Sequence, residues 1–161
     1  MQLRIVAVGK LREAYWRDAE AEYRKRLSGY ATKVEVVEVA DEPTPDNASA
    51  AQEDGVRRRE GERLLARLGE REYVIALDRA AGRAFGSEAF AAHLERRATE
   101  GDGAFAFVIG GSLGLHDSIL ARADLALSFG EFTFPHQMMR VMLLEQVYRA
   151  MKITSGQAYH K

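Results

Sequence analysis

Three stretches in the last third of the chain carry residue types that could do chemistry. FAFVIGGSLGL (Phe105 to Leu115) runs an apolar segment into Gly110 and Gly111. SFGEFTFPHQ (Ser128 to Gln137) sets Gly130 and Glu131 among three phenylalanines, Phe129, Phe132 and Phe134, with Thr133 between the last two. The end reads Tyr159, His160, Lys161. Two glycines directly after a buried strand remove two β-carbons where a ligand needs close backbone approach or a positive φ. GGSLG lacks both the G-x-G-x-x-G spacing of a dinucleotide loop and the glycine-lysine-hydroxyl triplet of a P-loop. Phenylalanines in a loop are costly to expose unless they fold over something apolar. The two loops therefore predict an apolar slot rimmed by backbone donors and acceptors, which suits an adenine ring better than a phosphate, with the terminal residues as a lid.

Alternating elements must position these loops. Leu3 to Val8 reads as a strand, and Trp16, Ala19, Tyr23 and Leu27 recur at helical spacing between Arg12 and Leu27. VEVVEV (Val34 to Val39) predicts a strand with Glu35 and Glu38 off its apolar face, followed by a Pro-rich acidic loop. Asn47 or Ser49 is placed to cap a charged helix running to Leu68; Arg57, Arg58 and Arg59 on it read as a solvated face rather than a phosphate patch. YVIAL (Tyr73 to Leu77) predicts a strand buried on both faces, with Leu77 and Asp78 where an open parallel sheet binds ligands. Ser87 to Glu100 reads as a helix, Phe105 to Ile109 as a second buried strand, and Leu125 to Ser128 as the last. The pattern predicts an α/β fold, a mostly parallel sheet of about five strands with flanking helices, in a single domain over residues 1–161.

The segment from Pro135 to Thr154 is a helix apolar on most of its circumference, which predicts central burial or a shared subunit interface. Arg140 and Arg149 interrupt it. Buried charges must be paired or used, so both are candidates for substrate or cofactor contact. His136 sits at the helix start as a structural residue or a competing base, and His93 and His116 read as surface or capping residues.

Composition narrows the class. With no cysteine there is no disulfide, thiolate metal site or cysteine nucleophile, which fits a cytoplasmic protein. The N-terminus has no signal-peptide pattern, and no apolar run approaches the ~20 residues that cross a bilayer, so no membrane or metal partner is expected. Net charge is −1, from 23 basic and 24 acidic side chains, which leaves no bulk attraction to polyanions.

The array FVIGGSLGL, then LSFGEFTFPHQMMRVMLLEQVYRA, then AYHK strongly resembles the RlmH family of SPOUT methyltransferases, and VAVGKLREAYWRDAEAEYRKRL resembles the same family's opening. The resemblance covers essentially the whole chain. It implies a C-terminal trefoil knot, a homodimer, and methylation by S-adenosylmethionine of N3 of a pseudouridine in 23S rRNA, on the ribosome. It places the cofactor against Leu77, Gly110 and Gly111 and the segment Phe129, Gly130, Glu131, Phe132, Thr133 and Phe134. Tyr159, His160 and Lys161, with Arg149, then fall to substrate binding and catalysis, beside Arg140 as the substrate candidate from its place on the helix; His160 is the base by type, its ordinary pKa of about 6.5 lying nearest neutrality. A non-enzymatic dimeric nucleotide-binding or ribosome-assembly module is the alternative that the residues alone leave open.

Overall fold

The computed structural model describes residues 1–159, in the order β1 (Gln2–Val8), α1 (Ala14–Leu27), β2 (Lys33–Val39), α2 (Ala50–Leu65), β3 (Tyr73–Leu77), β4 (Arg83–Ala84), α3 (Ser87–Glu100), β5 (Ala104–Ile109), α4 (Asp117–Arg122), β6 (Leu125–Ser128) and α5 (His136–Thr154). The strands form one sheet in the order β2-β1-β5-β3-β6-β4, and every pairing is parallel. Six strands stand where the sequence predicts about five. The addition, β4, pairs Arg83 with Leu127 and Ala84 with Ser128 at the edge, and two exposed residues carry no hydrophobic period to detect. The sequence pattern likewise does not predict short α4, six residues long.

Parallel strands need helices on both faces, and their alternation divides the core in two. Phe105, Phe107 and Ile109 of β5 pack with Ile5 and Ile75 against Leu27 of α1, Leu94 of α3, and Leu143 and Val147 of α5. Ala106 and Val108 face the other way, with Val6, Val74 and Ala76, against Leu64 of α2 and Ile119 of α4. Helix α2 starts at Ser49, whose hydroxyl accepts from Gln52 N at 3.2 Å while Gln52 Oε1 accepts from Ser49 N at 2.8 Å, a reciprocal cap. Asn47 adopts φ 52° before it instead of capping. The Arg57–Arg59 run is paired within the chain, to Asp54, Glu62 and Glu42 respectively.

Glu35 and Glu38 do not share a face. In VEVVEV the period of two puts Val34 and Val36 on one core and Val37 and Val39 on the other, so each glutamate falls among valines on opposite sides. Each is neutralised there: Glu35 by Arg4 at 3.2 Å and Glu38 by Arg140 at 3.2 Å.

The apolar helix α5 buries Leu143, Leu144, Val147, Ala150 and Met151 against the sheet, between α1 and α3. Met138, Val141, Met142, Glu145, Tyr148 and Arg149 recur at three- and four-residue spacing and stay half-buried in the single chain. Arg140, 1% exposed, points inward. Its guanidinium donates to Glu20 Oε2 of α1 at 3.2 Å, to Glu38 Oε2 of β2 at 3.2 Å and to the carbonyl of Gly9, just past β1, at 2.7 Å. Removing one member of a buried pair leaves uncompensated charge. Arg140→Ala is expected to lower the unfolding free energy by about 3 kcal/mol, read from the urea midpoint; a loss within the error of the wild-type curve would show that the cluster bears no load.

Candidate functional site

Outside the carboxyl ends of β3, β5 and β6 lies a cleft of about 340 Å³. Three exits build it. From β3, Leu77 leads into Asp78, whose Oδ1 accepts from the amides of Ala80 at 2.9 Å and Ala81 at 2.7 Å, curling the chain over the sheet edge. Gly82 then passes so close to β6 that a β-carbon would lie 2.5 Å from Leu127 C and 2.6 Å from Ser128 N, a space only glycine fits.

From β5 the chain enters Gly110 and Gly111. A β-carbon on Gly110 would lie 2.8 Å from both the carbon and the oxygen of the Gly114 carbonyl, because Gly111 to Gly114 close a turn in which Gly114 N donates to Gly111 O at 3.1 Å. Gly114 takes φ 85°. From β6, Ser128 Oγ donates to the carbonyls of Arg79 at 3.3 Å or Gly130 at 3.2 Å and accepts from Gly130 N at 3.1 Å, and Gly130 turns at φ 106°. Arg79 Nη1 donates to Glu131 O at 3.1 Å, tying the first exit to the third. The segment then crosses the cleft and enters α5, whose His136 and Met139 complete the wall.

Of the predicted cofactor residues, Leu77, Gly110, Gly111, Phe129, Gly130, Phe132, Thr133 and Phe134 line this cleft together. Glu131 lies in the segment but not in the lining, and it is exposed. Phe132, at the cleft's lip, is 81% exposed, more than any other large hydrophobic among the described residues. Sequence reading missed Ser128 and Arg79 as contributors; Ser128 has a signal, a hydroxyl two residues before a glycine, the spacing of a side-chain-closed turn.

Of the predicted substrate and catalytic residues, the described ones, Arg140, Arg149 and Tyr159, are placed elsewhere. Arg140 is fully engaged in its buried cluster and does not line the cleft. Arg149 and Tyr159 lie on the half-buried face of α5: Arg149 Nη2 donates to Glu145 Oε1 at 2.6 Å, Tyr159 Oη to the same oxygen at 3.2 Å, and the guanidinium sits 4.8 Å from the Tyr159 ring centre. Burial, then the Glu145 charge, holds the Tyr159 phenol above its ordinary range, so it stays protonated near neutral pH. Nine residues separate Glu145 from His136, about 13 Å along the helix axis. His160 and Lys161 lie outside the described residues.

The cleft combines an apolar floor with exposed backbone and few charges, which fits a nucleoside better than a polyphosphate. Among the described residues no cluster of three or more metal-ligating side chains occurs, and no helix is long and apolar enough to cross a membrane.

An open parallel α/β sheet with a glycine-rimmed cleft outside its strand ends defines a small-molecule-binding α/β protein. Within that class the chain belongs to the SPOUT methyltransferase family: the family model described as "Predicted SPOUT methyltransferase" matches residues 1–160. Among solved structures the chain is similar to one from Haemophilus influenzae Rd KW20 described as a probable methylase family protein, with a TM-score of 0.51 and 13% identity over 99% of this chain and 70% of that one. At that identity the likeness is one of fold. A Legionella pneumophila protein described as a methyltransferase in complex with S-adenosylmethionine aligns with a TM-score of 0.47 and 11% identity over 96% of this chain and 66% of that one.

His136 is the histidine in the wall. Burial, then the nearby Arg140 charge, pushes its pKa below the ordinary histidine value, with Asp41 and Glu13 opposing. A histidine depressed in the folded state binds its proton more readily when unfolded, so it lowers stability as pH falls through about 6.5. Between pH 7.5 and 5.5 the wild type is expected to lose more unfolding free energy than His136→Asn does, in parallel denaturant titrations. Identical pH profiles would contradict the burial of a neutral imidazole at this site.

Proposed function

We propose that the protein is an S-adenosylmethionine-dependent methyltransferase of the RlmH type, acting as a homodimer on N3 of a pseudouridine in 23S rRNA within the ribosome. The observation that carries the reading is the cleft outside the ends of β3, β5 and β6, where Gly110 excludes a β-carbon and leaves main chain to line the site. Its donor set suits the cofactor: backbone groups of the Gly110–Gly114 turn and of the 128–134 segment for a ribose and adenine edge, and Leu77, Ile109 and Leu127 for the ring face. When bound, S-adenosylmethionine supplies an electrophilic methyl group on a sulfonium. The protein's part is to align the acceptor with that methyl, exclude water and remove the N3 proton.

Arg149 and Tyr159 support a composite site. Arg149 lies about 15 Å along α5 from Met139, the nearer of the two α5 residues lining its own cleft, and with Tyr159 it sits on the face bearing Met138, Val141 and Met142, which a second copy would cover. Across such an interface the tail of one subunit serves the cleft of the other. There His160 takes the N3 proton, while Tyr159, held protonated, and Arg149 orient the base. The small net charge accords with recognition of a preassembled ribosomal surface by shape rather than by bulk attraction.

The direct test is transfer of labelled methyl groups from S-adenosylmethionine to ribosomes, followed by mapping of the nucleotide. The reading expects N3-methylated pseudouridine in 23S rRNA; no transfer, or transfer to a different nucleotide, refutes it. His160→Ala is expected to retain cofactor affinity while single-turnover methyl transfer falls by about 10²-fold or more. An unchanged rate would remove His160 from the mechanism.

A further inference from the structure

Helix α2 presents a buried carboxylate to the back of the cleft. Glu60 is 4% exposed on a helix that otherwise carries a charged outer face. Both of its carboxylate oxygens lie 3.1 Å from the point where a β-carbon of Gly111 would stand, and Val8 Cγ1 lies 3.2 Å from that point. Gly111 thus rests on the Glu60 carboxylate. The next residue, Gly61, meets the far end of the same loop: its β-carbon would be 3.3 Å from His116 Cβ and Ser118 Oγ. Two consecutive residues of α2 therefore grip the segment Gly110–His116 at both ends, and that segment forms one side of the cleft.

The carboxylate is itself held. Glu60 Oε2 accepts from the amide of Glu42 at 3.0 Å, and the Glu42 carboxylate is clamped by Arg59 at 2.9 Å and by Arg63. A half-buried pair of arginines thereby fixes the loop after β2, which fixes Glu60, which supports Gly111. Burying a carboxyl costs free energy that an apolar side chain of the same volume would not incur. Burial holds the Glu60 carboxyl above its ordinary pKa; the hydrogen bond from the Glu42 amide and the Arg63 charge oppose, and the Asp41 and Glu42 charges add to the rise.

We propose that Glu60 is a positioning residue for the cofactor cleft, fixing the Gly111–Gly114 turn at the spacing from the 128–134 segment that the ligand requires. The inference rests on the cleft being the S-adenosylmethionine site. Glu60 touches neither cofactor nor substrate; it acts through the backbone of the turn.

Two measurements on the full-length protein test it. In the ligand-free protein, hydrogen exchange at the amides of Ser112 to Gly114 is expected to accelerate in Glu60→Ala and to stay near wild type in Glu60→Gln, which keeps the shape and an acceptor. Titration calorimetry with S-adenosylhomocysteine, the demethylated product, is expected to show affinity about fivefold weaker for Glu60→Ala and within about twofold of wild type for Glu60→Gln. Gly111→Ala, which crowds the carboxylate, is expected to weaken binding alone but to add little in the Glu60→Ala background, because residues in contact are not additive. Unchanged exchange and affinity in Glu60→Ala, or strictly additive losses in the double variant, would overturn the inference. Absence of binding by the wild type, with exchange still accelerated in Glu60→Ala, would instead overturn the proposed cofactor and leave Glu60 as the support of a turn with a different purpose.

Discussion

The guanidinium of Arg140 fixes the geometry on which the rest depends. From the first third of α5 it reaches Glu20 on α1, Glu38 on β2 and the carbonyl of Gly9 at the exit of β1. Those bonds decide where the helix begins relative to the strand ends. The cleft wall follows, because His136 and Met139 lie on that same first turn and the 128–134 segment must span from β6 to it. A buried ion cluster adds little net stability compared with apolar packing, since desolvation offsets much of the attraction. What it contributes is direction: an apolar helix could slide or rotate on an apolar sheet, whereas a guanidinium with three acceptors has one satisfied placement.

Backbone proximity is the second constraint, and it follows from the first. With α5 seated and β6 beside β3, the exits of β3, β5 and β6 crowd together, and at Gly82 and Gly110 even a methyl group would overlap a neighbouring backbone. The result is a site made largely of main chain, aimed by positive φ at Gly114 and Gly130. Such a site discriminates by shape and by hydrogen bonds from fixed backbone, without the charge a phosphate would need.

Much of this was legible from residue order. Tyr73–Leu77 and Phe105–Ile109 announce themselves as strands buried on both faces, and a Gly-Gly pair directly after the second locates the ligand end of the sheet. What escaped depends on partners distant in the chain. Arg140 reads as a candidate substrate contact until its acceptors, 102 to 131 residues away, are seen to consume it. Glu35 and Glu38 read as one polar edge, but their spacing of three places them on opposite faces of a strand, each meeting its own arginine. Glu60 lies in the charged run of α2, and only the fold reveals that its carboxylate meets Gly111. Tyr159 was the least legible: it packs on Tyr148 and Arg149, well along α5 from the cleft-lining His136 and Met139 of its own chain.

Together these features make the cleft a preformed pocket of main chain, which the proposed function completes with residues of a second subunit. The most direct test is a crystal structure grown with S-adenosylhomocysteine. The account predicts density for the adenosine between the Gly110–Gly114 turn and the Phe129–Phe134 segment, with the tail of a second subunit approaching the same cleft. Ligand density elsewhere on the molecule, or an empty cleft at saturating concentration, would contradict it.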